Sequence, residues 1–221
     1  MKNIGRFEKQ LGYQFRQPEL LQQALTHRSV GSAHNERLEF LGDSVLNFVI
    51  TEKLYSLRPA SREGELSRIR ASLVNKDALA SIARNLDISD FVLLGQGEKR
   101  SGGFRRASIL ADSVEAVLGA VLLDGGFEVC RDLILELYRK KLEDLPSGEL
   151  LKDPKTRLQE LLQASGQTLP VYEVINETGK DHEKLFQVKC LASDDQQVVG
   201  SGRSRRKAEQ DAAAKMLERL T

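Results

Sequence analysis

The chain has 221 residues, 40% hydrophobic and 29% charged, which is enough apolar content for a core and too much for disorder. Its 33 Lys+Arg and 32 Asp+Glu leave a formal charge of +1, so bulk charge selects no partner and any case for nucleic acid rests on where the basic residues sit. Two cysteines exclude a disulfide scaffold and fit a reducing cytosol, three histidines argue against a His-rich metal site, and no uncharged apolar run of about 18 residues or apolar leader suggests a membrane span or secretion signal.

Residues 1–145 read as one helix after another. The strongest is 35–55, where Leu38, Leu41, Val45, Phe48 and Val49 recur at helical spacing. Helices follow at 64–74 and 76–86, then a glycine-rich basic loop at 95–104 with neither P-loop spacing nor a G-x-G-x-x-G after a strand. That loop is no nucleotide cradle; its place before the next helix suits either a phosphate-holding segment or a surface loop. Residues 108–123 are apolar nearly all round, as in a central buried helix, and Asp124-Gly125-Gly126 stops it. A further amphipathic helix spans 127–142. A Pro/Gly linker at 146–152 then gives way to helix 156–164, strands at 171–177, 184–191 and 197–202, and helix 204–220. Phe186, Val188 and Cys190 alternate onto one strand face, and Ala208, Ala212, Ala213 and Leu217 share one helix side. The expected fold class is an all-α domain over 1–145 followed by a small α+β (αβββα) domain over 153–221.

Two charged constellations stand out. Glu36, Glu39 and Asp43 share one helix face, and Asp112 with Glu115 interrupts the most apolar helix. Like charges so spaced destabilise a helix by roughly 0.2–0.5 kcal/mol per pair, and burial makes each harder to ionise. A divalent cation with oxygen ligands, Mg²⁺ or Mn²⁺, would relieve that repulsion. A solvated acidic face, or acids paired with Arg37, Arg68 or Arg70, would give the same spacing. Gly42 and Gly119 lie inside their helices, where glycine costs about 1 kcal/mol relative to alanine. A close helix crossing explains both, and it would bring Glu39 and Asp43 beside Asp112 and Glu115.

The second constellation is Arg203, Arg205, Arg206 and Lys207 at a helix start, with Ser204 as N-cap. Cations there oppose the helix dipole, yet the same place makes a strong anion site, and a phosphate backbone is its natural ligand. A solvated charge run is the plain alternative. The preceding Gly200-Ser201-Gly202 would let the backbone approach a ligand.

The stretch NERLEFLGDSVL at 35–46 resembles the signature of the bacterial ribonuclease III family. ALTHRS (24–29), GGF (102–104), SILADSVE (108–115) and LDGG (123–126) resemble its other blocks in the same order. DPKTRLQE (153–160), GKDH (179–182) and GSGRSRRKA (200–208) resemble its double-stranded-RNA-binding domain. The resemblance implies an endoribonuclease that hydrolyses double-stranded RNA with Mg²⁺, leaves 5′-phosphates and short 3′ overhangs, and processes ribosomal RNA precursors and structured messenger RNA. It implies that Glu39, Asp43, Asp112 and Glu115 hold the metal, with Asp43 and Glu115 closest to hydrolysis, and that Glu36 and Glu63 shape the RNA-processing centre. By the same resemblance, Phe40 plugs into the partner of a homodimer, Thr156, Gln159 and His182 face minor grooves, and Ser204, Arg205, Arg206 and Lys207 hold phosphates. Lys180 stands where related domains often have Pro, and Glu209 where many have Lys. The expectation is a cytoplasmic enzyme with no membrane and no nucleotide cofactor. The rivals are a binding-only dimer and a phosphohydrolase acting on small nucleotides.

Overall fold

The computed structural model describes residues 4–145, 152–179, 184–192 and 196–220. The chain forms two compact units, residues 1–148 and 149–221. Among the described residues no helix is long and apolar enough to cross a membrane.

The first unit is helical: α1 (Ile4–Leu11), α2 (Pro18–Ala24), α3 (Glu36–Leu57), α4 (Glu63–Val74), α5 (Lys76–Asn85), α6 (Gln96–Arg100), α7 (Ala107–Gly125) and α8 (Phe127–Glu143). α7 is the axis, buried from Ile109 to Val121 except at Asp112 and Glu115, and packed by α3, α5, α2 and α8. A helix apolar on every side has to be enclosed by others. Gly126 ends it at φ +85°, a conformation that glycine adopts without strain. The buried Asp124 receives hydrogen bonds from the Tyr13 hydroxyl (2.6 Å) and the backbone N–H groups of Arg16 and Gln17 (2.8 and 2.9 Å), tying the end of α7 to the α1–α2 connection.

Two expectations change here. Phe48 belongs to the apolar repeat of α3 but is 59% exposed, edge-on to Phe127 with ring centroids 5.8 Å apart. Leu38, Val45 and Val49 alone carry the repeat into the core, because residue 48 has drifted a quarter-turn out of the stripe. The loop at 95–104 is partly helical, since residues 96–100 close a turn of helix and Gly103–Arg105 a 3₁₀ turn.

The second unit is α9 (Pro154–Ala164), β1 (Val171–Thr178), β2 (Leu185–Leu191), β3 (Gln197–Gly202) and α10 (Arg205–Leu220). The antiparallel sheet has the order β1-β2-β3, with Val188 opposite Val174 on one side and Gly200 on the other. Both helices pack on one sheet face through Leu158, Leu162, Cys190, Ala212, Ala213, Met216 and Leu217. Gly200 and Gly202 have a different role from the one read in the sequence. A Cβ on Gly200 would collide with the backbone of Ala208 and Ala212, and one on Gly202 with that of Lys207 and Ala208. These glycines let β3 lie against α10; they serve packing rather than the approach of a ligand.

Candidate metal centre and nucleic-acid face

The α3–α7 crossing is closer than side chains allow. A Cβ on Gly42 would overlap the Glu115 carbonyl oxygen, and one on Gly119 the Leu38 carbonyl oxygen. The two helix-interior glycines therefore notch each other, and the acidic faces of both helices meet at the notch. Glu39, Asp112 and Glu115 each offer a carboxylate oxygen, and these oxygens lie within 4.8 Å of one another. Asp43, one turn beyond Glu39, is outside that group. Its carboxylate receives a hydrogen bond from Asn47 Nδ2 at 2.7 Å, and its charge still reaches Glu115.

No cation among the described residues is in contact with these carboxylates, although His27 and Arg28 act on Asp112 from a distance. Among the described residues none of the four forms an ion pair, so the arginine-paired alternative does not describe this site. Burial, then Asp43, Asp112 and Glu39, push the Glu115 carboxyl up to about 8. Burial also raises Glu39, with Asp112 and Glu36 adding to it, and burial raises Asp112 against the opposing charges of His27 and Arg28. Clustered, partly buried carboxylates with raised pKa values suit a hard divalent cation, which supplies the missing positive charge. The donor set therefore fits Mg²⁺ or Mn²⁺.

Glu36 sits at the rim and pairs with Arg28 at 3.0 Å. Glu36, Glu39 and Asp112 open on a cleft of about 390 Å³ whose other walls include His27, Arg28 and Arg106. Arg106 is fixed by Glu98 at 2.8 Å, which ties the glycine-rich segment to the cleft. Glu63 is not among the residues lining that cleft; it opens α4 and receives the Ser67 hydroxyl at 2.7 Å. Phe40 is 78% exposed on the outer face of α3, an unusual place for so large an apolar side chain. The sequence singled out neither Asn47 nor Arg28 for the site, and Arg106 only as the end of a basic segment able to hold a phosphate strand. Asn47 had a signal, its i+4 spacing from Asp43, whereas the arginines reach the cleft from segments without periodicity.

In the second unit, Thr156 and Gln159 of α9 and Arg206 of α10 line one cleft of about 570 Å³. The Thr156 hydroxyl donates to Asp153 at 2.8 Å, within the cap that starts α9. Ser204 Oγ accepts from the backbone N–H of Lys207 at 3.3 Å, so it caps α10 as its residue type predicts. Arg205 pairs with Glu209 at 2.9 Å, whereas Arg206 and Lys207 form no ion pair among the described residues. His182 lies outside the described residues.

Residues 17–142 match the family described as Ribonuclease-III-like, and residues 154–220 match the double-stranded RNA binding motif. A curated Ribonuclease 3 of Nitrosococcus oceani is 56% identical over 220 residues, covering 98% of this chain and 94% of its own. One from Vibrio vulnificus is 54% identical over 219 residues, covering 99% and 97%. The crystal structure of the nuclease domain of a ribonuclease III from Campylobacter jejuni is 44% identical and covers 66% of this chain and all of its own, with a TM-score of 0.63. A second structure of that domain, with TM-score 0.62 and 45% identity, is described by flexibility in a region involved in dimer formation.

Proposed function

The chain belongs to the ribonuclease III family and joins a ribonuclease unit to a double-stranded-RNA-binding unit; from that premise we propose that it cleaves double-stranded RNA by divalent-metal-assisted phosphodiester hydrolysis at the α3–α7 crossing. The observation that carries this reading is the group of Glu39, Asp112 and Glu115, close together and without an ion pair among the described residues, on two glycine-notched helices. These three and Asp43 would hold Mg²⁺ or Mn²⁺, with Asp43 oriented by Asn47. A cation bound there supplies an acidified water and stabilises the charge that develops on the phosphate oxygens. The chain's own part is positional. The backbone contact at Gly42 and Gly119 fixes the carboxylates, and Glu36 aims Arg28 into the cleft, where a guanidinium can meet a phosphate. Asp43 and Glu115 stand nearest the hydrolysed bond. The glycine-rich segment, through Arg106, borders the strand being cut.

Duplex specificity rests with residues 153–221, joined to the nuclease domain of 1–145 by the linker 146–152. A double-stranded-RNA-binding unit reads shape, touching two minor grooves and the phosphates between them over about 16 bp. Thr156, Gln159 and His182 take the grooves and Ser204, Arg205, Arg206 and Lys207 the phosphates. Products carry 5′-phosphates and short 3′ overhangs, and the substrates are ribosomal RNA precursors and structured messenger RNA. The enzyme works as a homodimer, with Phe40 seated in the partner and Glu63 completing the RNA-processing centre. Two buried free cysteines suit a cytoplasmic location. The test is cleavage of duplex RNA, duplex DNA and nucleoside phosphates with and without Mg²⁺. Cleavage of duplex RNA alone, and only with metal, is expected. Tight RNA binding without cleavage would leave a binding-only dimer, and turnover of nucleoside phosphates would favour the small-substrate reading.

A further inference from the structure

Glu209 lies one helical turn after Arg205, with its side chain only 13% exposed. Its carboxylate holds two cations at once, Lys155 Nζ at 2.6 Å and Arg205 Nε at 2.9 Å. The Lys155 ammonium also sits 4.4 Å from the centre of the Tyr172 ring, so it is fixed from two sides. Next to Glu209, Gln210 accepts from the Lys155 backbone N–H at 3.1 Å and donates to Asp153 at 2.8 Å. Glu209 lines the same cleft as Thr156, Gln159 and Arg206. An anion thus stands within the face assigned to a polyanion, and it occupies cations that a phosphate would otherwise take.

We propose that Glu209 is an internal competitor for the RNA backbone: it holds Arg205 and Lys155 within the chain and so limits both the tightness and the salt sensitivity of duplex-RNA binding. This inference rests on the duplex-RNA reading of the second unit. Each cation engaged by a phosphate releases counterions, and the slope of log affinity against log salt counts those cations. A cation already paired to a carboxylate contributes less to that count. Replacing the carboxylate by an amide of the same shape removes the competing charge; its one oxygen keeps one of the two hydrogen bonds, and the NH₂ group in place of the other oxygen accepts none, so the second cation is released. A tunable grip has a use in an enzyme that has to release two cut ends.

The test is duplex-RNA binding by the full chain with a chelator present, so that RNA is held and not cut, over a series of monovalent salt concentrations. Glu209→Gln is expected to tighten binding at low salt by roughly fivefold and to steepen the salt slope by about one unit. Arg205→Gln should weaken binding little in the parent chain and severalfold more in the Glu209→Gln background. Weaker binding or an unchanged slope in a Glu209→Gln protein that melts normally overturns the proposal. If that variant melts lower, the Arg205→Gln comparison decides: an equal loss in both backgrounds assigns Glu209 a structural role and overturns the proposal as well. A parent chain that does not bind duplex RNA would instead refute the underlying reading, whatever Glu209 does.

Discussion

The two charged constellations of this chain are built by opposite means. At the α3–α7 crossing, like charges are forced together by backbone contact and left without a cationic partner. At the start of α10, like charges stand on the exposed end of a helix, and one of them is neutralised by its own neighbour. The contrast fits the role proposed for each. A metal centre works only when its ligands are fixed to within fractions of an ångström, so rigidity is worth its electrostatic cost. A phosphate backbone is a line of charge that tolerates displacement, so exposed and mobile cations suffice, and their number can be adjusted.

The sharpest way to break this comparison is to fill the notch. Gly42→Ala puts a methyl group into the Glu115 carbonyl, which is backbone and has no rotamer to escape into. Overpacking of this kind costs about 1–3 kcal/mol or more. Melting temperature should fall by several degrees and cleavage should be lost, while duplex-RNA binding by the second unit persists. Gly200→Ala should show the converse, weakened binding with the nuclease core intact. Normal melting and normal cleavage in Gly42→Ala would show that the crossing is not the frame of the site.

A smaller effect is expected at the basic end. Arg206→Ala with Lys207→Ala removes two α10 cations that form no ion pair among the described residues, and it also removes charges that oppose the α10 dipole. Duplex binding near physiological salt should fall roughly 10- to 100-fold, with the salt slope shallower by about two units and folding unchanged or slightly improved. An unaltered slope in a salt titration would remove these residues from the phosphate contacts.

The smallest effect separates the two ends by pH. Without metal, the folded chain holds a proton on Glu115 up to about 8, whereas the unfolded chain releases it in the ordinary glutamate range. The stabilisation is fully present below that ordinary range and is lost as pH rises through about 8. Metal-free melting temperature should therefore drift down across this interval, and Glu115→Gln or added Mg²⁺ should flatten the drift. A flat profile in the chelated parent chain would mean that Glu115 ionises freely.

Much of this was legible in the sequence, for identifiable reasons. Gly42 and Gly119 had no local justification in helix interiors, and the acid pairs sat at helical periods, so the crossing followed from residue spacing alone. Helix starts and strand alternation were equally local. What escaped notice depended on segments distant in sequence. Arg28 reaches the cleft beside the carboxylates from a connection without periodicity, and Asp124 ties the end of α7 to the α1–α2 connection through Tyr13, Arg16 and Gln17. Gly200 and Gly202 were misread because a glycine before a helix looks the same whether its close neighbour is a ligand or, as here, the helix itself. Phe48 obeyed the period but fell at the edge of the stripe, where sequence spacing does not separate core from surface.

The central claim is that the crossing carboxylates bind the metal that performs the hydrolysis, and Glu115→Gln tests it most directly through a paired measurement on one protein. The side chain keeps its size and loses its charge. Duplex-RNA cleavage with Mg²⁺ should fall by orders of magnitude while duplex-RNA binding persists, and the melting temperature without metal should hold or rise because folding no longer has to place a proton on a buried carboxylate. Near-normal cleavage, or loss of cleavage only because the metal-free protein has become clearly less stable, would contradict the account and return Glu115 to a structural role.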